Sequence, residues 1–256
     1  MEAKIVKSTE RFSTRVDAYR EFRPRYPREV LDVLRRDCGL TSETMIADVA
    51  AGTGLLAEIF LANGNPVVAV EPNAAMRAVC EELRGEFPLR CFDGTAEATG
   101  LAENSVDMIT VGQAMHWFNL DAARAEFVRV LRRGGWCVVV YNHRKMRGDA
   151  FHEGYERILV EFGKDYGAVQ SSHLTEDKLA AFFAPSEMKC AALPNAQDLT
   201  LEGLRGRVLS SSYMPQEGDP KYATMMDAVD ALFARHARTG VVRMEYETAV
   251  CYGRLG

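Results

Sequence analysis

A glycine-bearing turn and an acid one strand later carry the strongest chemical signal in this chain of 256 residues. The turn is Ala50-Ala51-Gly52-Thr53-Gly54, at the end of the apolar run Met45 to Val49; the acid is Glu71, at the end of the apolar run Val67 to Val70. Small side chains in such a turn let a ligand lie against the backbone at a helix N-terminus. An acid at the end of the next strand stands where a carboxylate reaches a pair of ribose hydroxyls. The combination implies recognition of a nucleoside-containing ligand. Further polar or aromatic loops follow later apolar runs: Glu71-Pro72-Asn73, Gly94-Thr95-Ala96-Glu97 and Gln113 to Phe118.

The elements that must position these residues can be read from periodicity. Met45–Val49 and Val67–Val70 read as buried strands flanking a helix, Leu55–Ala62, that Asn63-Gly64 closes. Asn73 caps a helix with Met76, Val79, Cys80 and Leu83 on one side. Leu89–Phe92, Val106–Val111 and Trp136–Tyr141 are the next strands, with a helix over Ala122–Arg132 between the last two. Upstream, Phe12, Val16 and Tyr19 have helical spacing within Glu10–Phe22, and Pro27 opens a helix that runs to Gly39. Alternating strands and helices with short loops predict an α/β fold, a Rossmann-like, doubly wound and mainly parallel sheet. Beyond Asn142 the rhythm changes to helices at Phe151–Phe162, Thr175–Phe183, Leu201–Ser212 and Tyr222–Ala237, with a strand near Met188–Leu193. Strict alternation over Val242–Tyr252 predicts an antiparallel closing strand. The expected organisation is an N-terminal helical lid (1–40), a ligand-binding core (41–145) and a helical cap plus the last strands (146–256), integrated in one domain.

Composition excludes several classes. Hydrophobic residues make up 47% and the formal net charge is −5, so a large core can form and no broad basic surface exists for nucleic acid. No run approaches the ~18 apolar residues of a membrane span, and the N-terminus lacks a secretory h-region. A cytoplasmic protein, monomer or homodimer, is expected. The six cysteines are scattered without a CxxC pair and read as reduced structural thiols. The five histidines show no HxxxH spacing, so no metal is expected.

The segments DVAAGTG, VVAVEP, GTAE, VDMITVGQAMHWF and VLRRGGW resemble, in order and spacing, the class I S-adenosylmethionine-dependent methyltransferases, in particular the small-molecule branch that includes trans-aconitate methyltransferases. LTLEGLRGRVLSSSYMP and YETAVCYGRL resemble the C-terminal part of that branch. The resemblance implies S-adenosylmethionine as cofactor, its methionine end over Ala50, Gly52 and Gly54, its ammonium supported by Asp48 and its ribose on Glu71. Pro72 and Asn73 belong to the same loop. In the family an aspartate often stands at the position of Thr95, so adenine recognition would shift to Thr95, Ala96 and Glu97. Arg23 matches a position expected to reach the cofactor carboxylate, and Gln113 should line the methionine end.

A small-molecule acceptor, methylated at a carboxylate or hydroxyl oxygen, is expected. A carboxylate needs no base but wants a positive partner, Arg25 or Arg144; a hydroxyl or amine wants a base, for which His116 is the candidate. Tyr19, Trp117, Ser212 and Tyr213 complete the expected acceptor site, with Tyr19 and Phe12 packing a lid. Two other classes share the opening signal. A nicotinamide-dependent oxidoreductase would use the same acid, but Gly52, Gly54 and Ala57 give only an alanine variant of GxGxxG. A non-enzymatic cofactor-binding protein is the other.

Overall fold

The computed structural model describes residues 16–85, 88–164, 166–167 and 175–255. The early part of the expected Glu10–Phe22 helix, with Phe12, lies outside them; α1 is described over Val16–Phe22. α2 spans Glu29–Cys38 and ends on Gly39 at φ 70, a left-handed cap whose N–H bonds Leu34. The core then alternates as expected: β1 Ile46–Val49, α3 Ala57–Ala62, β2 Val67–Val70, α4 Ala74–Glu81, β3 Leu89–Phe92, β4 Val106–Gly112, α5 Leu120–Val130 and β5 Leu131–Arg144. Asn73 caps α4, its Oδ1 accepting the Ala75 and Met76 amides at 3.0 and 3.1 Å.

The remaining elements are α6 Ala150–Phe162, α7 Glu176–Phe183, β6 Lys189–Leu199, α8 Leu201–Leu209, α9 Tyr222–His236 and β7 Val242–Gly253. Seven strands form one sheet in the order β3-β2-β1-β4-β5-β7-β6. β1 to β5 are parallel, and β7 is antiparallel to both β5 and β6. This is the anticipated mixed, Rossmann-like sheet. Two spans grew: β6 reaches Leu199 and β5 runs on to Arg144 because both pair with the long β7, and β5 begins at Leu131 because that residue pairs with Val106 of β4.

Strand alternation divides the core. Ile46, Met108, Val138 and Val140 pack with α2 and α3 on one face, while Val49, Ile109, Val111 and Val139 pack with Phe127, Phe182 and Phe183 on the other. A third cluster joins α6, α8 and α9 to Val242, Met244 and Tyr246 of β7. Against α8, the Phe22 ring of α1 occupies space that any Cβ on Gly206 would enter, at 2.1 Å from Phe22 Cδ2. Glycine there lets the two helices meet backbone to ring.

One cysteine expectation is overturned. Cys190 and Cys251 form a disulfide. They are direct partners in the β6–β7 register, a neighbourhood that a sequence separation of 61 conceals. Cys38, Cys80, Cys91 and Cys137 are free. Among the described residues no helix is long and apolar enough to cross a membrane.

Candidate active site

The loops after β1, β2, β3 and β4 converge on one cleft at the carboxyl end of the parallel strands, where open α/β sheets bind ligands. Its walls are Ala50 and Gly52, then Glu71, Pro72, Asn73 and Met76, then Thr95, Ala96 and Glu97, then Gly112, Gln113 and Ala114, with Tyr19, Trp117 and Phe118 at the rim. The turn after β1 is left-handed at Ala50 (φ 55) and Gly52 (φ 58). A Cβ on Gly52 would meet nothing nearer than Met76 Sδ at 3.8 Å, so this glycine faces open space.

Glu71 is 6% exposed and held by its neighbours. Its Oε2 accepts the Gly52 amide at 2.9 Å and its Oε1 the Asn73 amide at 2.8 Å. Burial raises its pKa, and the two amides pull it back. Both oxygens keep lone pairs for hydroxyl donors. Glu97 lines the same cleft while accepting the Asn119 amide at 2.8 Å.

Three residues of the expected cofactor set stand elsewhere: Gly54, Asp48 and, in the neighbouring cavity, Arg23. Gly54 does not line the cleft: its missing Cβ would lie 2.5 Å from Leu83 Cδ1 and 2.9 Å from Cys80 Sγ, so it is glycine to admit α4. Asp48 is fully buried beneath the turn, bonded through Oδ1 to its register partner Thr110 at 2.8 Å, with Oδ2 lacking a protein partner. Alternation along β1 puts Asp48 on the Ile46 face, under the turn rather than in the cleft. Burial pushes its pKa up to about 7 despite the Thr110 bond.

A second cavity, of about 440 Å³, adjoins the first and shares Tyr19, Gln113 and Trp117 with it. The expected His116, Arg144, Ser212 and Tyr213 line it, and so does Arg23, which thus faces this cavity and not the cleft. His116 Nδ1 lies 3.4 Å from the Tyr141 hydroxyl, whose pKa burial pushes up to about 12. Arg144 is ion-paired with Glu156 and lies 4.9 Å from the Tyr155 ring centre. Arg25 is outside: its guanidinium pairs with Glu58 on the surface, and only its carbonyl turns inward, accepting Asn195 Nδ2 at 2.8 Å. Its neighbours Pro24 and Tyr26 line the cavity while the Arg25 side chain turns outward.

Sequence reasoning missed Tyr26, Tyr141, Asn142 and Arg207, all in this second wall. Arg207 left a signal. It shares the buried face of α8 with Leu204 and Val208, where a cation needs a reason to be. Tyr26 left none; its hydroxyl approaches Gly112, where a Cβ would stand 2.7 Å away.

The group Asp149, His152 and Glu245 is the one metal-capable trio among the described residues, and it lines neither cavity. Lys145 Nζ already sits 2.6 Å from Glu245 Oε2 and 3.5 Å from Asp149 Oδ2.

The family described as methyltransferase domain matches residues 47–139, the stretch that builds the cleft. An uncharacterized methyltransferase-like protein of Schizosaccharomyces pombe is 28% identical over 242 residues, 93% of this chain and 92% of that one. An uncharacterized methyltransferase of Mycobacterium bovis is 39% identical over 137 residues, about half of either chain (53% and 54%). Residues 47–139 match a methyltransferase domain, and these similarities support a class I S-adenosylmethionine-dependent methyltransferase. The fold agrees: the structure of a methyltransferase from Geobacter sulfurreducens in complex with S-adenosyl-L-homocysteine superposes with a TM-score of 0.56 at 14% identity, covering 95% of this chain and 97% of that one. These similarities support an S-adenosylmethionine-dependent methyltransferase enzyme over the nicotinamide and non-enzymatic readings of the glycine turn. The family match ends at Val139, so the second cavity is built in large part by residues outside that match: Arg23 and Tyr26 before it, Tyr141 to Arg144 and Arg207 to Tyr213 after it.

Proposed function

We propose that the cleft holds S-adenosylmethionine and that the second cavity presents to it a small-molecule acceptor, methylated at a carboxylate or hydroxyl oxygen. The shared wall of Tyr19, Gln113 and Trp117 carries this reading, because methyl transfer requires donor and acceptor to meet in line at one place. The second cavity has the size and mixed polar and aromatic lining of a small-molecule site. The bound cofactor supplies a methyl carbon activated by its sulfonium.

The chain's own residues do the holding. Ala50 and Gly52 leave room for the methionine end, Glu71 accepts from the ribose hydroxyls, and Thr95, Ala96 and Glu97 border the adenine. The residues fit: a carboxylate with free lone pairs lines the same cleft as an open, left-handed glycine turn. A carboxylate acceptor would bring its own lone pair and no proton to remove, so the chain would have only to orient it toward the methyl group that the cofactor supplies. A hydroxyl acceptor must also lose its proton, and His116 beside Tyr141 is placed to take it. In this reading α1, which brings Tyr19 to both cavities, is the lid; the enzyme is cytoplasmic, monomeric or dimeric, and needs no metal.

Calorimetry tests the cofactor half: S-adenosylhomocysteine binds 1:1 and nicotinamide cofactors do not. A labelled-cofactor screen of carboxylic acids, phenols and amines, read by product mass, tests the acceptor half. Methylation of amines alone would sink the oxygen assignment.

A further inference from the structure

Where the two cavities meet, two polar atoms have no hydrogen-bond partner among the described residues. The first is the hydroxyl of Tyr26, a residue 7% exposed that lines the second cavity. A buried phenol left unbonded is costly, and phenylalanine would fill the same space without that cost. The hydroxyl also constrains its neighbour: a Cβ on Gly112 would stand 2.7 Å from it, so the cleft wall is glycine at the point where Tyr26 reaches it. Burial holds the Tyr26 ionisation well above its ordinary range, so the group stays a phenol, able to donate and to accept.

The second atom belongs to the residue after Gly112. Gln113 lines both cavities in a left-handed backbone (φ 56), a strained conformation for a residue other than glycine. It is held at both ends: the Val140 carbonyl accepts its backbone N–H at 3.0 Å, and the Asn142 carbonyl accepts its Nε2 at 3.2 Å. Asn142 is fixed in turn, its Oδ1 accepting from Thr248 Oγ1 at 2.5 Å and Asn195 Nδ2 at 3.1 Å. A carbonyl can only accept, so the nitrogen of the Gln113 amide must face Asn142, and Oε1 is left as a bare acceptor.

A carboxylate has no hydrogen to give to Oε1, whereas a hydroxyl has one and can take another from Tyr26. An aliphatic amine is an ammonium ion at neutral pH, and the second cavity is lined by Arg23, Arg144 and Arg207 and by no acid. We propose that Gln113 and Tyr26 select the acceptor group: the oxygen seated where the cavities meet is a neutral hydroxyl that donates to Gln113 Oε1 and accepts from Tyr26, and a carboxylate is rejected there. The inference rests on the two-cavity reading above and narrows it. The hydroxyl oxygen gains the methyl group that the cofactor's sulfonium gives up, and its proton passes to His116 on the same loop.

The test puts both groups in one molecule. Vanillate, mandelate and lactate, with phenol, cyclohexanol, benzoate and benzylamine as single-function probes, are incubated with methyl-labelled cofactor. Alkali then releases the label from an ester and leaves it on an ether. Alkali-stable label is expected on at least one hydroxylated probe, at a rate about tenfold or more above benzoate and benzylamine. Tyr26→Phe is expected to lower kcat on that probe about tenfold, with S-adenosylhomocysteine affinity kept within about threefold and the thermal midpoint unchanged or raised, since no bond is lost. Gln113→Leu should lose about 10- to 100-fold and narrow the preference for hydroxyl over carboxylate, which a merely structural role would not move. Alkali-labile label on the hydroxy acids, preferred transfer to benzoate or benzylamine, or no transfer to any hydroxylated probe would overturn the assignment. So would a Tyr26→Phe variant with undiminished turnover. Should Gln113→Leu not fold, Tyr26→Phe carries the comparison. Wild-type enzyme that fails to bind S-adenosylhomocysteine in calorimetry sinks the cofactor reading instead, a result separate from any of these.

Discussion

The two cavities meet at Tyr19, Gln113 and Trp117 but are made of different material. The cleft is largely backbone and small residues, with two carboxylates, Glu71 and Glu97, and lies almost wholly on loops between consecutive core elements. The second cavity is long side chains, tyrosines, histidines and arginines, drawn from α1, the end of β5, α8 and the segments beside them. Such a division suits an enzyme whose cofactor is constant and whose acceptor is particular. A surface of backbone cannot be altered by changing side chains, whereas a wall of side chains can.

Breaking the contrast should first be visible in stability. Gly54→Ala adds a Cβ at 2.5 Å from Leu83 in a left-handed backbone (φ 85), and urea titration should show a loss of about 3 kcal/mol. Gly52→Ala, with space around it, should cost about 1 kcal/mol by the same measurement and act mainly on cofactor binding. Next comes Glu71→Ala, which removes the proposed ribose acceptor and frees the Gly52 and Asn73 amides; S-adenosylhomocysteine affinity should fall about 100-fold by calorimetry. An unchanged affinity would separate the cleft from the cofactor.

The third effect depends on pH. Asp48, with a pKa pushed up to about 7, stays protonated in the native state between about pH 4 and 7, while the unfolded chain has released that proton. The native state binds more protons in that window, so Asp48 makes stability fall as pH rises through it, and the dependence ends above about 7. Relative to Asp48→Asn, the wild type should lose up to about 1.4 kcal/mol per pH unit between pH 4.5 and 6.5, read by urea titration. A constant difference would mean the Asp48 carboxyl is ionised in the fold. The smallest effect belongs to Arg25→Ala, which removes a half-exposed surface pair with Glu58. It should change stability by less than about 0.5 kcal/mol and turnover by less than about twofold, measured in the labelled-cofactor assay.

The cleft was legible in the sequence because its residues follow their strands directly: each strand end delivers its own loop, and order along the chain becomes order around the ligand. Asp48 and Gly54 fall outside the cleft lining because of side-chain direction and helix packing, which a motif does not encode. The second cavity was read less well. Its arginines are set by contacts across great sequence distance, and both candidates chosen by type, Arg25 and Arg144, proved to be neutralised by acids that no spacing reveals. Arg207 could have been found as a charge on an apolar helix face. The Cys190–Cys251 bond is the same lesson in a sheet: register, not spacing, made them neighbours.

The long strand β7 sets a limit on engineering. Val250 and Tyr252 lie in the sheet core with α2 and α3, while Val242, Met244 and Tyr246, on the same strand, lie among α6, α8 and α9. It is a beam spanning both halves, so a chimera that transplants acceptor preference by cutting after β5 must replace or re-thread this strand as well. A graft that keeps β7 native would inherit three of the old cluster's buried contacts, and one that exchanges it would disturb the antiparallel partner of β5.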